Sequence, residues 1–98
     1  MIRHILLFSL KEGATSEDRQ AMLDELSGFP RLFPQIQNWQ MGENSSSRDD
    51  MYEYGVTMEF SEREYLNRYL TSDEHERFVR EKFRPLISSR AIVSFDVA

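Results

Sequence analysis

The sequence predicts an α+β domain with elements in the order β-α-β-β-α-β, a four-stranded antiparallel sheet carrying helices on one face. Three observations lead there. Short apolar runs bounded by turn residues occur at 2–10, 36–42, 51–60 and 91–97. The stretches 15–27 and 61–86 instead repeat apolar residues at spacings of three and four, the mark of an amphipathic helix. A chain of 98 residues makes one domain, 1–98, with room for one sheet and one helix layer.

The first strand, Ile2 to Leu10, stops at the turn signal Lys11-Glu12-Gly13. Ile2, His4, Leu6, Phe8 and Leu10 share one side, while Ile5 and Leu7 lie on the other with Arg3 and Ser9. A strand apolar on both faces is usually covered on both. Thr15 opens a helix, with Asp18 close to capping-box position and Glu17 at the positive helix end. Ala21, Met22, Leu23 and Leu26 give its apolar spacing, and Gly28 ends it. Phe29 to Pro34 is a compact connector.

Ile36 to Gly42, carrying Trp39 and Met41, is the second strand, and the serine-rich stretch from Glu43 to Asp50 is a loop. Met51 to Phe60 alternates: Tyr52, Tyr54, Val56, Met58 and Phe60 point one way, so the second and third strands form a hairpin. Ser61 with Glu64 reads as a capping box ahead of Tyr65, Leu66, Tyr69 and Leu70. That helix breaks near Thr71-Ser72. Ser72 then caps a second segment whose apolar face is Phe78, Val79, Phe83 and Leu86. Ala91 to Val97 closes the sheet, with Ala91, Val93, Phe95 and Val97 opposed to Ile92, Ser94 and Asp96.

This order is the ferredoxin-like arrangement. Its helices leave the second sheet face bare, expected to carry Ile5, Leu7, Thr57 and Ile92, with Trp39 or its neighbours; the parity of the second strand stays open. Apolar patches of this kind mark interfaces. Two such faces packed across a two-fold axis close a barrel, which predicts a homodimer, a dimeric α+β barrel.

Composition narrows the function. With 40% hydrophobic and 12% aromatic residues the chain can bury a core, so disorder is disfavoured. A net charge of −5 argues against a nucleic-acid partner and against anionic membrane surfaces. The absence of cysteine excludes disulfides, thiolate catalysis and cysteine-ligated metal. The first apolar run is too short for a signal sequence and no stretch approaches a membrane span, so the cytoplasm is the expected location.

Only two histidines exist, His4 and His75. His4 shares a strand face with Leu6 and Phe8; His75 lies three and four residues before Phe78 and Val79 on its helix. Both therefore point into the layer between sheet and helices. At a helix start the dipole disfavours the protonated imidazole, which leaves a neutral proton acceptor at pH 7. The expected site is a small apolar pocket lined by Leu6, Phe8, Phe78 and Val79, with His75 or His4 as general base and Tyr69 as polariser. The competing explanation is that each histidine is a hydrogen-bonded structural residue. No metal and no cofactor is expected: Asp73 and Glu74 are explained as helix-start acids, and the four glycines form no phosphate loop. Trp39, Tyr52 and Tyr54 read as core or interface, and Ser45 to Ser47 as turn residues.

Met1-Ile2-Arg3-His4-Ile5-Leu6-Leu7-Phe8, the stretch Tyr69 to His75, Phe83-Arg84-Pro85-Leu86 and the closing Val93-Ser94-Phe95-Asp96 together resemble the stress-responsive A/B barrel (Dabb) family across nearly the whole chain. The resemblance implies a dimeric α+β barrel. One plant branch of that family consists of polyketide cyclases that use a histidine on the first strand, another at the start of the last helix, and a tyrosine nearby. His4, His75 and Tyr69 sit at the matching positions. The family's common His-Pro-x-His pattern reads Ser72-Asp73-Glu74-His75 here, so a function needing both of its histidines is not implied. Three functions stay open: a cofactor-free enzyme acting on a small apolar or polyketide-like molecule, a non-catalytic stress-associated dimer, and a cofactor-free oxygenase of the antibiotic-biosynthesis monooxygenase type.

Overall fold

Strand β1 (Ile2–Leu10) is the spine of the sheet. In the computed structural model, which describes residues 1–97, it pairs antiparallel with β3 (Tyr54–Phe60) on one side and β4 (Ile87–Asp96) on the other. Strand β2 (Gln37–Glu43) adds to the far edge of β3, giving the order β2-β3-β1-β4. This is the ferredoxin-like sheet that the element order predicts.

Register decides what each face carries, because residues directly opposite on paired strands point the same way. His4 stands opposite Met58 and Ser94, while Ile5 stands opposite Thr57 and Val93. The first set faces the helices and the second is bare.

The helix layer consists of α1 (Ser16–Ser27), α2 (Phe29–Leu32), α3 (Arg63–Thr71) and α4 (Asp73–Phe78). A π-helical turn, Val79–Phe83, and a 3-10 turn, Arg84–Leu86, lead from α4 into β4. Thr15 caps α1 as predicted, its hydroxyl accepting the Asp18 N–H at 3.1 Å. Gly28 closes α1 where a Cβ would come within 3.3 Å of the Glu25 carbonyl oxygen, so a side chain there would crowd the helix end. Between sheet and helices lie Phe8, Val56, Met58 and Phe60 from the strands, against Met22, Leu26, Leu66 and Tyr69 from the helices. Each fully buried side chain of this kind stabilises the fold by about 1.5–3 kcal/mol relative to exposure. Among the described residues no helix is long and apolar enough to cross a membrane.

The structure corrects three expectations and resolves the open parity of the second strand. Ile92 is not on the bare face: it stands opposite Leu6 and belongs to the helix side, and Val93, opposite Ile5, takes its place. The more apolar set of β4 therefore points away from the core, leaving Val93 53% and Phe95 42% exposed. The open parity of the second strand resolves with Trp39 on the helix side, 6.2 Å from the Phe29 ring, because Asn38 adopts φ 52° and the register slips between Gln37 and Gln40. Ser61 is not a cap; Glu62 holds that position and no side chain bonds the first turn of α3. Finally, β3 starts at Tyr54 and β4 at Ile87. The Met51 carbonyl is taken by the Ser9 hydroxyl at 3.0 Å, outside the ladder, whereas the polar Ser89 and Arg90 pair with β1 despite lacking an apolar pattern.

Candidate functional site

Two local devices bring the singled-out residues together. On β1, the even parity that buries Ile2 and Phe8 also turns His4 inward, where it is 4% exposed. Its Nδ1 lies 2.7 Å from the Ser94 hydroxyl, on the neighbouring position of β4. The second device is the break between α3 and α4. Ser72 leaves the helical conformation, donates its hydroxyl to the Tyr69 carbonyl at 2.9 Å and accepts the His75 N–H at 3.2 Å. One serine thus closes one helix and opens the next. The resulting turn sets the Tyr69 and His75 rings edge to face with centroids 4.6 Å apart, and Tyr69 in turn lies 6.3 Å from the His4 ring.

His4, Tyr69 and His75 border one cavity of about 170 Å³ between sheet and helices. Leu6, Phe78 and Val79 line it with Phe29, Met58 and Phe83. Phe8 does not. It is fully buried beside the cavity, stacked 5.2 Å from Tyr54 and edge-on 5.2 Å from Phe83, and so fills the core instead. Other wall residues escaped the sequence reasoning, among them Ile92, Arg90 and Arg84. Carrying the β1 parity across to β4 would have found the first two. No pattern in the sequence marks Arg84.

The family model described as the Stress responsive A/B Barrel Domain matches residues 2–97. The chain belongs to the Dabb family. A relative from Streptomyces coelicolor, the uncharacterized protein SCO4036, is 30% identical over 79 residues, covering 78% of this chain and 80% of that protein. Among solved structures, a Dabb family protein with a ferredoxin-like fold from Mesorhizobium loti superposes with a TM-score of 0.86 at 23% identity, covering 99% of this chain and 96% of that one. A dimeric ferredoxin-like protein of unknown function from Thermobifida fusca gives 0.81 at 22%, covering 98% and 90%. The hydroxynitrile lyase of Passiflora edulis gives 0.89 at 15%, covering 99% and 93%. At these identities the structures share a fold with this Dabb domain.

Burial sets the protonation states around the Dabb cavity. Desolvation, helped by the nearby His75, pushes the His4 pKa down from 6.5 to about 4. The His75 imidazole is also lowered by burial, with the Leu70 carbonyl and Glu76 pulling the other way. Burial raises the Tyr69 phenol above its ordinary value, so it keeps its proton. At pH 7 the cavity thus holds two neutral imidazoles, able to take a proton, and one phenol able to donate a hydrogen bond. The Nδ1 of His75 is buried and has no hydrogen-bond partner among the described residues. Asp73 and Glu74, in the first turn of α4, are exposed and do not line the cavity. Among the described residues no three His, Asp or Glu side chains converge as a metal site needs.

The depressed His4 pKa carries a stability consequence. Folding holds His4 below its unfolded value, so above pH 6.5 both states are neutral and the full stability is present. As pH falls from 6.5 toward 4, the unfolded chain takes up a proton that the folded chain refuses, and stability drops by about 3 kcal/mol at most, near 1.4 kcal/mol per pH unit. Urea denaturation of wild type and His4→Gln at pH 7 and pH 4.5 measures this. We expect the variant to lose distinctly less on acidification; equal losses would remove burial of a neutral His4 from the picture.

Proposed function

We propose that this Dabb protein is a homodimer in which each cavity carries out cofactor-free proton transfer on a compact, mostly apolar molecule. The observation that carries the proposal is the convergence of His4, Tyr69 and His75 on the lining of one cavity, with the Nδ1 of His75 buried and unpartnered among the described residues. A buried polar atom without a partner costs about 1–3 kcal/mol, a cost commonly found where residues bind or react. His75 acts as the general base. Tyr69 donates to the oxyanion that develops as the proton leaves. His4, with one ring nitrogen tied to Ser94, is held in fixed orientation beside them.

The cavity sets the size of the molecule. An engineered cavity of about 150 Å³ in another protein accepts benzene. A space of about 170 Å³ fits a single ring or a short chain, and a longer polyketide would extend out of it. Small size also favours a second reading, a binder without turnover. Catalysed exchange of a carbon-bound proton separates the two.

The dimer is supported by the bare sheet face. Val93 and Phe95 lie there half exposed, next to the partly exposed Ile5 and Leu7, an arrangement costly in water and self-complementary across a two-fold axis. Two shallow depressions on the same face, bordered by Leu7 and Gly55 on one side and by Ile5 and Phe95 on the other, offer recesses for a facing copy. The structural relative from Thermobifida fusca is described as dimeric.

Two experiments test these proposals. In D₂O, proton NMR should show the wild type accelerating exchange of the benzylic protons of phenylacetone, a single-ring ketone. His75→Gln should slow that exchange by about 10²-fold or more and Tyr69→Phe by about tenfold. Variants that exchange as fast as wild type would remove the assigned roles, and binding without exchange would favour the non-catalytic reading. In sedimentation, the wild type should run at twice 11.6 kDa and Val93→Glu at 11.6 kDa. A wild-type monomer at micromolar concentration would end the barrel proposal.

A further inference from the structure

The charge around the cavity narrows the ligand class, provided that the cavity is a ligand site as proposed above. The chain is acidic overall, with 17 Asp and Glu against 12 Lys and Arg. The cavity reverses that balance: among the described residues the only fully charged ones lining it are Arg84 and Arg90, and no Asp or Glu borders it. The two arginines come from different elements. Arg90 stands on β4 opposite Phe8, on the helix-facing side, and Arg84 opens the 3-10 turn that leads into that strand. Both are exposed, which places them at the rim, above an apolar interior formed by residues such as Leu6, Phe78 and Phe83.

Neither arginine has a carboxylate within ion-pair distance among the described residues. Arg3, Arg19, Arg63, Arg68 and Arg80 each have one. A solvated arginine without a partner is ordinary on a protein surface. Two of them converging from separate elements on one apolar opening, with no acid between, is a different arrangement. The turn that carries Arg84 is also fixed: Pro85 restricts the backbone there, and the Leu86 carbonyl accepts the Lys11 N–H at 2.8 Å, tying the turn to the end of β1.

We infer that the ligand is a carboxylate with a single-ring or short-chain apolar body. The body occupies the cavity, and the acid group remains at the rim between Arg84 and Arg90. A guanidinium offers a planar pair of donors that matches a carboxylate, and such charge-assisted bonds are roughly twice as strong as neutral ones. Keeping the acid at the rim leaves it partly solvated, so the apolar interior never has to bury a charge.

Calorimetry on the intact protein at pH 7 and low salt, using phenylacetate, its neutral isostere phenylacetamide and acetate as probes, tests this. Phenylacetate should bind about tenfold or more tightly than phenylacetamide, and acetate should bind more weakly than phenylacetate. Arg84→Gln and Arg90→Gln should each reduce the preference for the acid while leaving phenylacetamide affinity within about twofold, and the double variant should abolish it. Equal binding of phenylacetate and phenylacetamide would overturn the anionic class while leaving the cavity as a ligand site. Acetate binding as tight as phenylacetate would show that the apolar body is not used, and would overturn the inference too. If neither ring compound binds, the cavity proposal and this one fall together. A preference that survives in the double variant would overturn the assignment to these two arginines.

Discussion

The helix layer of this domain depends on the ring of Tyr69. Five other rings surround it: His4 from β1, Phe60 from β3, Phe29 and Phe33 from the connector region, and His75 from α4, with centroids 4.6–6.3 Å away. The helices it joins are short, nine residues in α3, six in α4 and four in α2. Helices of that length are not stable alone and persist only through tertiary packing. Tyr69, 6% exposed, is where α2, α3 and α4 are fastened to the sheet together. Most of these pairs meet edge to face, as the ring quadrupoles prefer. Edge-to-face rings leave angular space between them, and the cavity beside Tyr69 lies where that space meets the branched side chains of the sheet. The fold-forming cluster and the candidate site are one structure.

That overlap explains why both histidines are pushed below the ordinary value. A ring that packs among phenylalanines loses its hydration, and the charged form is the one penalised. Each imidazole answers its polar requirements differently. His4 finds the Ser94 hydroxyl on the adjacent strand, so one nitrogen is satisfied within the sheet layer. His75 has its backbone N–H engaged by Ser72 and its Nδ1 left without a partner. A fold optimised for stability alone would place an apolar side chain there. Retaining an unsatisfied nitrogen costs stability, a cost commonly found where residues bind or react. The opposite sheet face follows other rules. Glu59 there is engaged by Asn38 and by Arg3 at 2.8 Å, which together hold its carboxyl below the usual carboxylate range, next to apolar side chains that remain uncovered in a single chain.

Much of this was legible in the sequence, and the limits have physical causes. The alternation in β1 and β3 identifies Ile2, His4, Phe8, Val56, Met58 and Phe60 as inward, because those strands sit at the centre of the sheet and one face is buried along their length. The edge strands mislead. In β4 the apolar residues 91, 93 and 95 point away from the helices, so the rule that the more apolar side is the core fails where the second side is apolar too. In β2 the positive φ of Asn38 resets the parity, a feature that asparagine tolerates and alternation does not reveal. The site divides in the same way. His4, Tyr69 and His75 could be picked out by type and spacing, and the Ser72 cap by its position before two acids. Phe8 shares parity with His4 and Leu6, which points it toward the cavity, yet it sits further along the strand, where Tyr54 and Phe83 close over it. Arg84 lies in a 3-10 turn after a π-helical turn, and no helical periodicity extends through such a change of pitch.

The central physical claim is that two imidazoles are kept neutral by burial beside Tyr69. Following the ring ¹⁵N shifts of His4 and His75 by NMR from pH 3.5 to pH 8, with assignment from the single-histidine variants, measures it directly. We expect His4 to titrate near pH 4 and His75 below the ordinary histidine value of about 6.5. A midpoint at or above that ordinary value for either ring would contradict the buried, neutral pair.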